Sequence, residues 1–218
     1  MSTQVDLKQL EKNAFKSNFQ DGLWDIYLGV LLLQMGLWSL LDGYQLSEFW
    51  EIVILLGTVG GALAAFIVMK KYVIMPRMGV ASFSTERKRK KRKVTVVLSL
   101  SVGMGMGMYV AAMIFGNGSD VFGQYSWLIP AGLFFLSSVI VFSLMAYYLD
   151  YTRAYLYGWL YGLSFVLNIA LAEMYGISWP LFTFLSAAIM IGIGLILFIR
   201  FMIAHPILTE ETDIYGEI

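Results

Sequence analysis

Long apolar stretches separated by short polar breaks dominate the hydrophobic pattern of this chain. A helix needs roughly 20 consecutive, mostly apolar residues to cross the hydrocarbon core of a bilayer. Six stretches reach that length. Their continuous apolar character favours helices over the alternating strands of about 10 residues that build membrane barrels. The pattern therefore predicts an all-α polytopic integral membrane protein, a bundle of six transmembrane helices. The predicted spans cover approximately residues 23–41, 49–69, 95–115, 126–148, 154–172 and 179–201.

The composition agrees with a membrane location. Of the 218 residues, 59% are hydrophobic and 14% are charged, whereas soluble domains carry about 25% charged residues. The polar start of the chain, residues 1–20, lacks the apolar core of a cleavable signal. The first span is therefore predicted to remain in the mature protein. The absence of cysteine excludes disulfides and thiolate metal sites.

The positions of the basic residues predict the orientation. With the amino terminus inside, all 15 Lys and Arg residues fall on the inner side of the six-span map. The outer connections carry acidic residues instead, among them Asp42, Asp120 and Glu173. Because cytoplasmic connections are enriched in Lys and Arg, both termini are predicted to be cytoplasmic.

This map divides the chain into four parts. Residues 1–21 form a cytoplasmic tail, for which two interpretations remain open: an amphipathic helix lying on the membrane surface or a mobile polar tail. Residues 22–203 form the transmembrane domain, and residues 70–94 are its basic cytoplasmic loop. Residues 204–218 form an acidic cytoplasmic tail.

A run of seven basic residues closes the loop, directly before the third predicted span. Such a run holds that end inside and attracts anionic lipid headgroups, at about 1 kcal/mol per basic residue near the surface. Nucleic acid is not a predicted partner, because the run adjoins a membrane helix and has no binding domain beside it. The predicted lipid contacts are Arg87, Lys88, Arg89, Lys90, Lys91, Arg92 and Lys93.

Two short motifs carry a resemblance to a known group of proteins. The segment DGLWDIYLGVLLL at residues 21–33 and the segment MPRMG at residues 75–79 resemble an uncharacterised family of small prokaryotic multi-span membrane proteins. The resemblance covers less than a fifth of the chain. It implies a prokaryotic membrane protein and transfers no activity or catalytic residues.

Small residues recur at four-residue spacing in three of the predicted spans. This spacing places them on one helix face, where two backbones can approach closely. Packing within one bundle and association with a second copy or a membrane partner subunit are both consistent with the pattern. The predicted packing glycines are Gly57, Gly61, Gly103, Gly107, Gly158 and Gly162.

Asp25 is the main ionisable residue inside a predicted span, one turn from the inner end of the first helix. Charges buried in a membrane are costly and are candidates for function. The second span returns to the same side with Lys70, Lys71 and Arg77. The predicted role of Asp25 is therefore an ion pair at the inner interface, with Arg77 as the partner, and substrate binding is the alternative.

The polar residues at mid-depth are neutral, and they either bridge helices or line a small polar path. A proton-coupled transporter usually has acidic or His residues at that depth, so the pattern disfavours that class. The candidate path consists of Gln34, Thr58, Ser137, Ser164 and Asn168.

The sequence predicts no cofactor and no catalytic site, because His205 is the single histidine and no catalytic motif is present. Met104 and Met108 lie one turn apart and form a weak candidate pair for Cu(I). The leading functional hypothesis is a transporter or channel for a small solute. The alternative is a non-catalytic membrane subunit or scaffold. Copper handling and an intramembrane enzyme rank below both.

Overall fold

A computed structural model describes residues 19–41, 47–78, 92–93, 95–96, 99 and 128–206. Within these ranges the chain is all-helical, as the sequence predicted. The elements are α1 (Leu23–Leu41), α2 (Glu48–Met69), a π-helical stretch (Lys70–Ile74), α3 (Met75–Met78), α4 (Leu128–Leu149), α5 (Arg153–Tyr175) and α6 (Leu181–Ala204).

Five of these helices are long and apolar enough to cross a membrane, and their lengths and composition fit a membrane protein. Their bounds agree with five of the six predicted spans to within a few residues. The other predicted span, residues 95–115, lies almost wholly outside the described residues. Most of the two predicted tails, residues 1–18 and 207–218, also lies outside them.

The second span extends further than the sequence indicated. Residue 70 was the predicted start of a loop, but the helix continues through the π-helical stretch and α3 to Met78. Pro76 cannot donate a backbone hydrogen bond, and in a regular helix its ring clashes with a carbonyl one turn earlier. The wider π turn, in which Met75 N–H bonds to Lys70 O, accommodates this proline directly after it.

Local hydrogen bonds explain where α1 begins and where α5 ends. Asp21 Oδ1 accepts a hydrogen bond from Leu23 N–H at 3.0 Å, which satisfies a donor that the first turn of α1 leaves free. Gly176 ends α5 in the left-handed region, at φ 67°. Its N–H bonds to Ala172 O at 3.0 Å, and glycine adopts this cap without the steric cost of a Cβ.

The helices pack in the order α2, α1, α6, α5, α4. α1 lies closely against α6, α4 lies closely against α5, and contacts between α5 and α6 join the two pairs. Tyr157, Leu32, Ala187 and Met190 are almost fully buried at the centre. Large apolar side chains are exposed along the outer faces of the long helices, as expected for surfaces that face lipid.

Glycines allow the close approach of α1 and α6. A Cβ at Gly194 would lie 2.7 Å from Ile26 N, and a Cβ at Gly29 would lie 3.0 Å from Ile191 N. Gly36 faces the Phe184 ring in the same interface. These glycines were not among the predicted packing residues.

The predicted packing glycines divide into three groups. Gly158 and Gly162 face α4, where a Cβ at Gly158 would lie 2.9 Å from Phe142 Cβ. Gly57 and Gly61 on α2 have no described neighbour within 4 Å of such a Cβ. The predicted residues that fall outside the described ranges are Gly103 and Gly107.

Candidate functional site

A fully buried carboxylate, Asp25, occupies the first turn of α1. Its Oδ1 accepts hydrogen bonds from the Tyr151 hydroxyl at 2.7 Å, from Arg153 Nε at 2.8 Å and from the Tyr157 hydroxyl. Its Oδ2 accepts a hydrogen bond from Arg153 Nη2 at 2.9 Å. A carboxylate has about four acceptor positions, so this one is fully satisfied. We call these four residues the Asp25 centre.

A second ion pair lies beside the Asp25 centre. Asp21 is fully buried and pairs with Lys70 at the end of α2. Burial raises the pKa of Asp21 above its ordinary value, while Lys70 and the Leu23 N–H act in the opposite direction. Arg153 Nη2 also donates to Phe19 O at 2.7 Å. The start of α1 is thereby tied to both α2 and α5.

Tyr151 covers the Asp25 centre at the turn between α4 and α5. Its ring stacks on Phe19 with centroids 5.7 Å apart, and the Arg153 guanidinium lies 5.3 Å from the ring centre. Burial and then the charge of Asp25 raise the pKa of the Tyr151 hydroxyl far above its ordinary value. The hydroxyl therefore stays protonated and donates to Asp25.

The predicted pairing of Asp25 with Arg77 is replaced by a pairing with Arg153. Arg77 Nη1 instead donates to Val73 O at 2.6 Å within its own helix. Both arginines lie at the same end of the bundle. The sharp turn at Asp150, which adopts φ 54°, brings the first turn of α5 directly against Asp25, so Arg153 reaches the carboxylate.

A polar cavity of about 380 Å³ opens at the opposite end of the bundle, between α1, α5 and α6. Asn168 bridges two of these helices: it donates to the Thr183 hydroxyl and accepts from Phe182 N–H at 3.0 Å. Ser164 lies one turn deeper. The described residues that line this cavity include no charged side chain. Its polar lining residues are Ser39, Tyr161, Ser164, Asn168, Ser178 and Thr183.

Buried side chains, among them Tyr157, Tyr161 and Leu28, lie between the polar cavity and the Asp25 centre, and we call them the closed layer. Tyr161 forms the floor of the cavity, and its hydroxyl donates to Leu28 O at 2.6 Å. Tyr157 lies one turn further along α5 and is fully buried. Tyr161 and Arg153 are eight positions apart on α5, which corresponds to about 12 Å along the helix axis.

A basic cavity of about 540 Å³ lies on the other side of this layer. Three arginines from different elements line it: Arg77 from α3, Arg153 from α5 and Arg200 from α6. His205, directly after α6, and Gln20 complete the polar part of its wall. The helices α5 and α6 therefore contribute to both cavities, at opposite ends of the bundle.

Comparison with known proteins assigns no relative. No protein-family model, curated protein or solved structure matches this chain. In the ranges that the structure describes, no group of three or more His, Asp or Glu residues is placed to hold a metal ion. The weak Cu(I) candidates Met104 and Met108 lie outside those ranges.

The structure brings two of the five predicted path residues, Ser164 and Asn168, into the polar cavity. Thr58 is exposed on α2 and donates to its own helix, to Ile54 O at 2.8 Å. Ser137 does the same on α4, to Phe134 O at 2.9 Å. Gln34 does not line the cavity, and its Oε1 is buried without a partner among the described residues.

The predicted lipid-contact run is described only at its end. Arg92 and Lys93 are exposed, and Lys93 Nζ lies 5.7 Å from the centre of the Tyr148 ring, near the end of α4. These two residues therefore lie at the same end of the bundle as the Asp25 centre. The rest of the run, residues 87–91, lies outside the described ranges.

Sequence reasoning missed three members of the Asp25 centre. Arg153 contributed only to the orientation signal, as one of the 15 basic residues, and neither Tyr151 nor Tyr157 was a candidate site residue. The available signal was the segment DYTRAYLY at residues 150–157, where a lone Arg at a predicted membrane boundary lies between two tyrosines. A single intramembrane carboxylate elsewhere in the chain needs donors of that kind.

Proposed function

We propose that this protein is a multi-pass protein of a prokaryotic cell membrane, with six spans and with the Asp25 end in the cytoplasm. The described Lys and Arg residues support this orientation, because they gather at that end through Lys70, Arg153, Arg200 and Lys93. Glu173 is exposed near the opposite end. Basic residues favour the cytoplasmic side.

The natural absence of cysteine makes the orientation directly testable. In whole cells, we expect a membrane-impermeant maleimide to label Ile177→Cys, which lies at the same end of the bundle as the polar cavity. We expect Lys93→Cys to react only after the cells are made permeable. The opposite labelling pattern would reverse the orientation, and labelling of both sites in intact cells would exclude it.

We further infer that the protein transports a small, uncharged polar solute through the bundle of α1, α5 and α6. The observation that carries this proposal is the pair of cavities at opposite ends of the same helices. A single packed layer of about 12 Å separates them. This is the arrangement expected for a pathway that is open to one side and closed towards the other.

The chemistry of the polar cavity indicates the kind of solute. Its volume of about 380 Å³ is near the lower end of the range for small-molecule sites, about 300–1,000 Å³. Hydroxyl groups and the Asn168 amide line it together with six apolar residues, and the described lining residues provide no charge to pair with an ion. These features favour a neutral molecule that exchanges hydrogen bonds with water for hydrogen bonds with the protein.

The closed layer gives the Asp25 centre a role in this proposal. Tyr157 donates to Asp25 from the same helix on which Tyr161 forms the cavity floor. Opening the layer requires α5 to move relative to α1, and the ion pair between Arg153 and Asp25 resists that movement. The Asp25 centre therefore holds the closed layer shut on the side of the basic cavity.

Transport is tested by reversible blockage of the polar cavity. Proteoliposomes that contain the Ser178→Cys variant are mixed with a hyperosmotic solution of glycerol, urea or acetamide. Entry of the solute is then followed by light scattering as the vesicles regain volume. We expect a bulky methanethiosulfonate reagent to reduce the flux at least about fivefold, since the reagent fills a cavity of this size. We expect a reducing thiol to restore it.

The adjacent residue provides the matched control. Ile177 belongs to the same connection but does not line the polar cavity, so the same reagent should leave the flux through Ile177→Cys unchanged. Equal inhibition of both variants would contradict a pathway through the cavity. Proteoliposomes that take up none of the three solutes faster than empty liposomes would contradict the proposed solute class.

A membrane subunit or homo-oligomer is the second candidate, and the exposed face of α2 favours it. Gly57 and Gly61 are open there, with no described atom within 4 Å of a Cβ at either position. Small residues on one face allow close helix association in membranes. Under this alternative, Gly61→Leu would abolish association of two copies, whereas the flux would be absent with or without the substitution.

A further inference from the structure

We propose that the basic cavity binds the phosphate group of an anionic ligand, either a lipid headgroup or a free phosphate. The site is distinct from the polar cavity and does not depend on transport. The described residues of the basic run, Arg92 and Lys93, do not line it. Its residues come from three helices that the fold brings together, Arg77, Arg153 and Arg200.

The charge balance at this end of the bundle favours an anion. Asp21 pairs with Lys70, and Asp25 pairs with Arg153. In the part of the chain that the structure describes, Arg77 and Arg200 have no carboxylate partner. The cavity therefore carries two guanidinium charges that its own acidic neighbours do not neutralise, which matches the charge of a phosphate monoester.

The donors of Arg77 are only partly used. Its Nη1 bonds to Val73 O, but its Nε is buried and has no hydrogen-bond partner among the described residues. Its Nη2 has no hydrogen bond among the described residues either. A phosphate oxygen in the cavity would accept from Nη2, because the planar guanidinium group matches phosphate geometry.

Arg153 also has one hydrogen-bond donor that is available to this ligand. Nε and Nη2 are bonded to Asp25 and Phe19 O, so Nη1 is the donor that remains for the cavity. The carbonyl ends of α3 and α6 lie nearby and oppose an anion. Their partial charge is about half an electron each, which the two guanidinium groups of Arg77 and Arg200 outweigh.

The position of the cavity explains why a lipid headgroup is one source of the phosphate. The cavity lies at the end of α6, where the proposed span would meet the lipid headgroups. Basic pockets between transmembrane helices on the cytoplasmic side are suited to such headgroups. A soluble phosphate would reach the same residues from the aqueous side, so the binding measurement must separate the two sources.

The test measures binding to the full-length protein in a phosphate-free detergent. Dioctanoyl phosphatidic acid and inorganic phosphate are titrated separately, and thermal stability is followed by the fluorescence of the six tryptophans. Dioctanoylglycerol, which has the same chains without the phosphate, should not bind at this site. A shift with phosphatidic acid alone identifies a lipid, and a shift with inorganic phosphate as well identifies a site open to a soluble ligand.

Arginine replacements decide whether the cavity is the site. We expect Arg77→Gln plus Arg200→Gln to weaken phosphate binding at least about tenfold, because the double variant removes both guanidinium groups that have no carboxylate partner among the described residues. Arg200 is exposed, so Arg200→Gln alone provides a variant that does not endanger folding, and it should give part of the loss.

The control removes one positive charge from the same end outside the cavity and is compared with Arg200→Gln. Lys71→Gln makes this change at an exposed residue that does not line the cavity, and it should leave binding within about twofold. An equal loss in this control would assign the effect to surface charge and overturn the proposal. Binding that survives in the cavity variant, or no binding of either phosphate ligand, would also overturn it.

Discussion

Replacing Arg153 by methionine will destabilise the protein by about 3 kcal/mol, because the substitution leaves the buried carboxylate of Asp25 without its positive partner. Tyr151 and Tyr157 would still donate to Asp25, but two neutral donors do not replace a bidentate charge-assisted contact. Thermal unfolding in detergent measures the loss. If the Arg153→Met variant unfolds at the wild-type temperature, another group must neutralise the charge of Asp25.

Two further variants separate the ion pair from the loss of a long side chain. Arg200→Met removes the same kind of side chain from the same end, where it is exposed and has no carboxylate partner among the described residues, and should change stability by less than about 0.5 kcal/mol. Asp25→Asn combined with Arg153→Met should recover most of the loss, because no unpaired buried charge remains at position 25. A double variant as unstable as the sum of the singles would place the effect in packing instead.

The sequence predicts the long helices well because their physical signal is local. Continuous apolar stretches end at charged or turn residues, and five of the observed helices follow those limits. The extension of α2 to Met78 was missed, since Pro76 reads as a helix end unless a π turn precedes it. That turn is a property of the three-dimensional backbone and has no reliable sequence signal.

The site depends on contacts between distant parts of the chain, which local patterns do not specify. Asp25 was recognisable as an intramembrane carboxylate. Several basic residues were predicted for the same end, however, among them Lys70, Arg77 and Arg153. Choosing among them requires the order of helices in the bundle. In that order α5 faces the start of α1, and Arg153 is 128 residues from Asp25 along the chain.

The polar cavity illustrates the same limit. Ser164 and Asn168 share one face of α5, which the four-residue spacing indicates. Whether Gln34 joins them depends on the rotation of α1, and that rotation is fixed by glycines that contact α6. The search for small residues at four-residue spacing did not find this interface, because Gly22, Gly29 and Gly36 repeat every seven residues.

Gly194→Ala will therefore destabilise the bundle by about 2 kcal/mol, whereas Gly192→Ala will stabilise it slightly. At Gly194 the new methyl group would lie 2.7 Å from Ile26 N, a backbone atom that cannot move without shifting α1, and overpacking of this kind costs about 1–3 kcal/mol. At Gly192 a Cβ has no neighbour within 4 Å, so the gain in helix propensity of up to about 1 kcal/mol remains.

The two glycines lie two residues apart on the same helix, so each variant is the control for the other. Both add one methyl group to α6 and both gain the same helix propensity, and the difference between them isolates the approach of α1. Unfolding in detergent, followed by tryptophan fluorescence, measures that difference. Equal stability of the two variants would mean that α1 and α6 do not pack through Gly194. In that case the position of α6, which contributes residues to both cavities, would have to be assigned to a different helix arrangement.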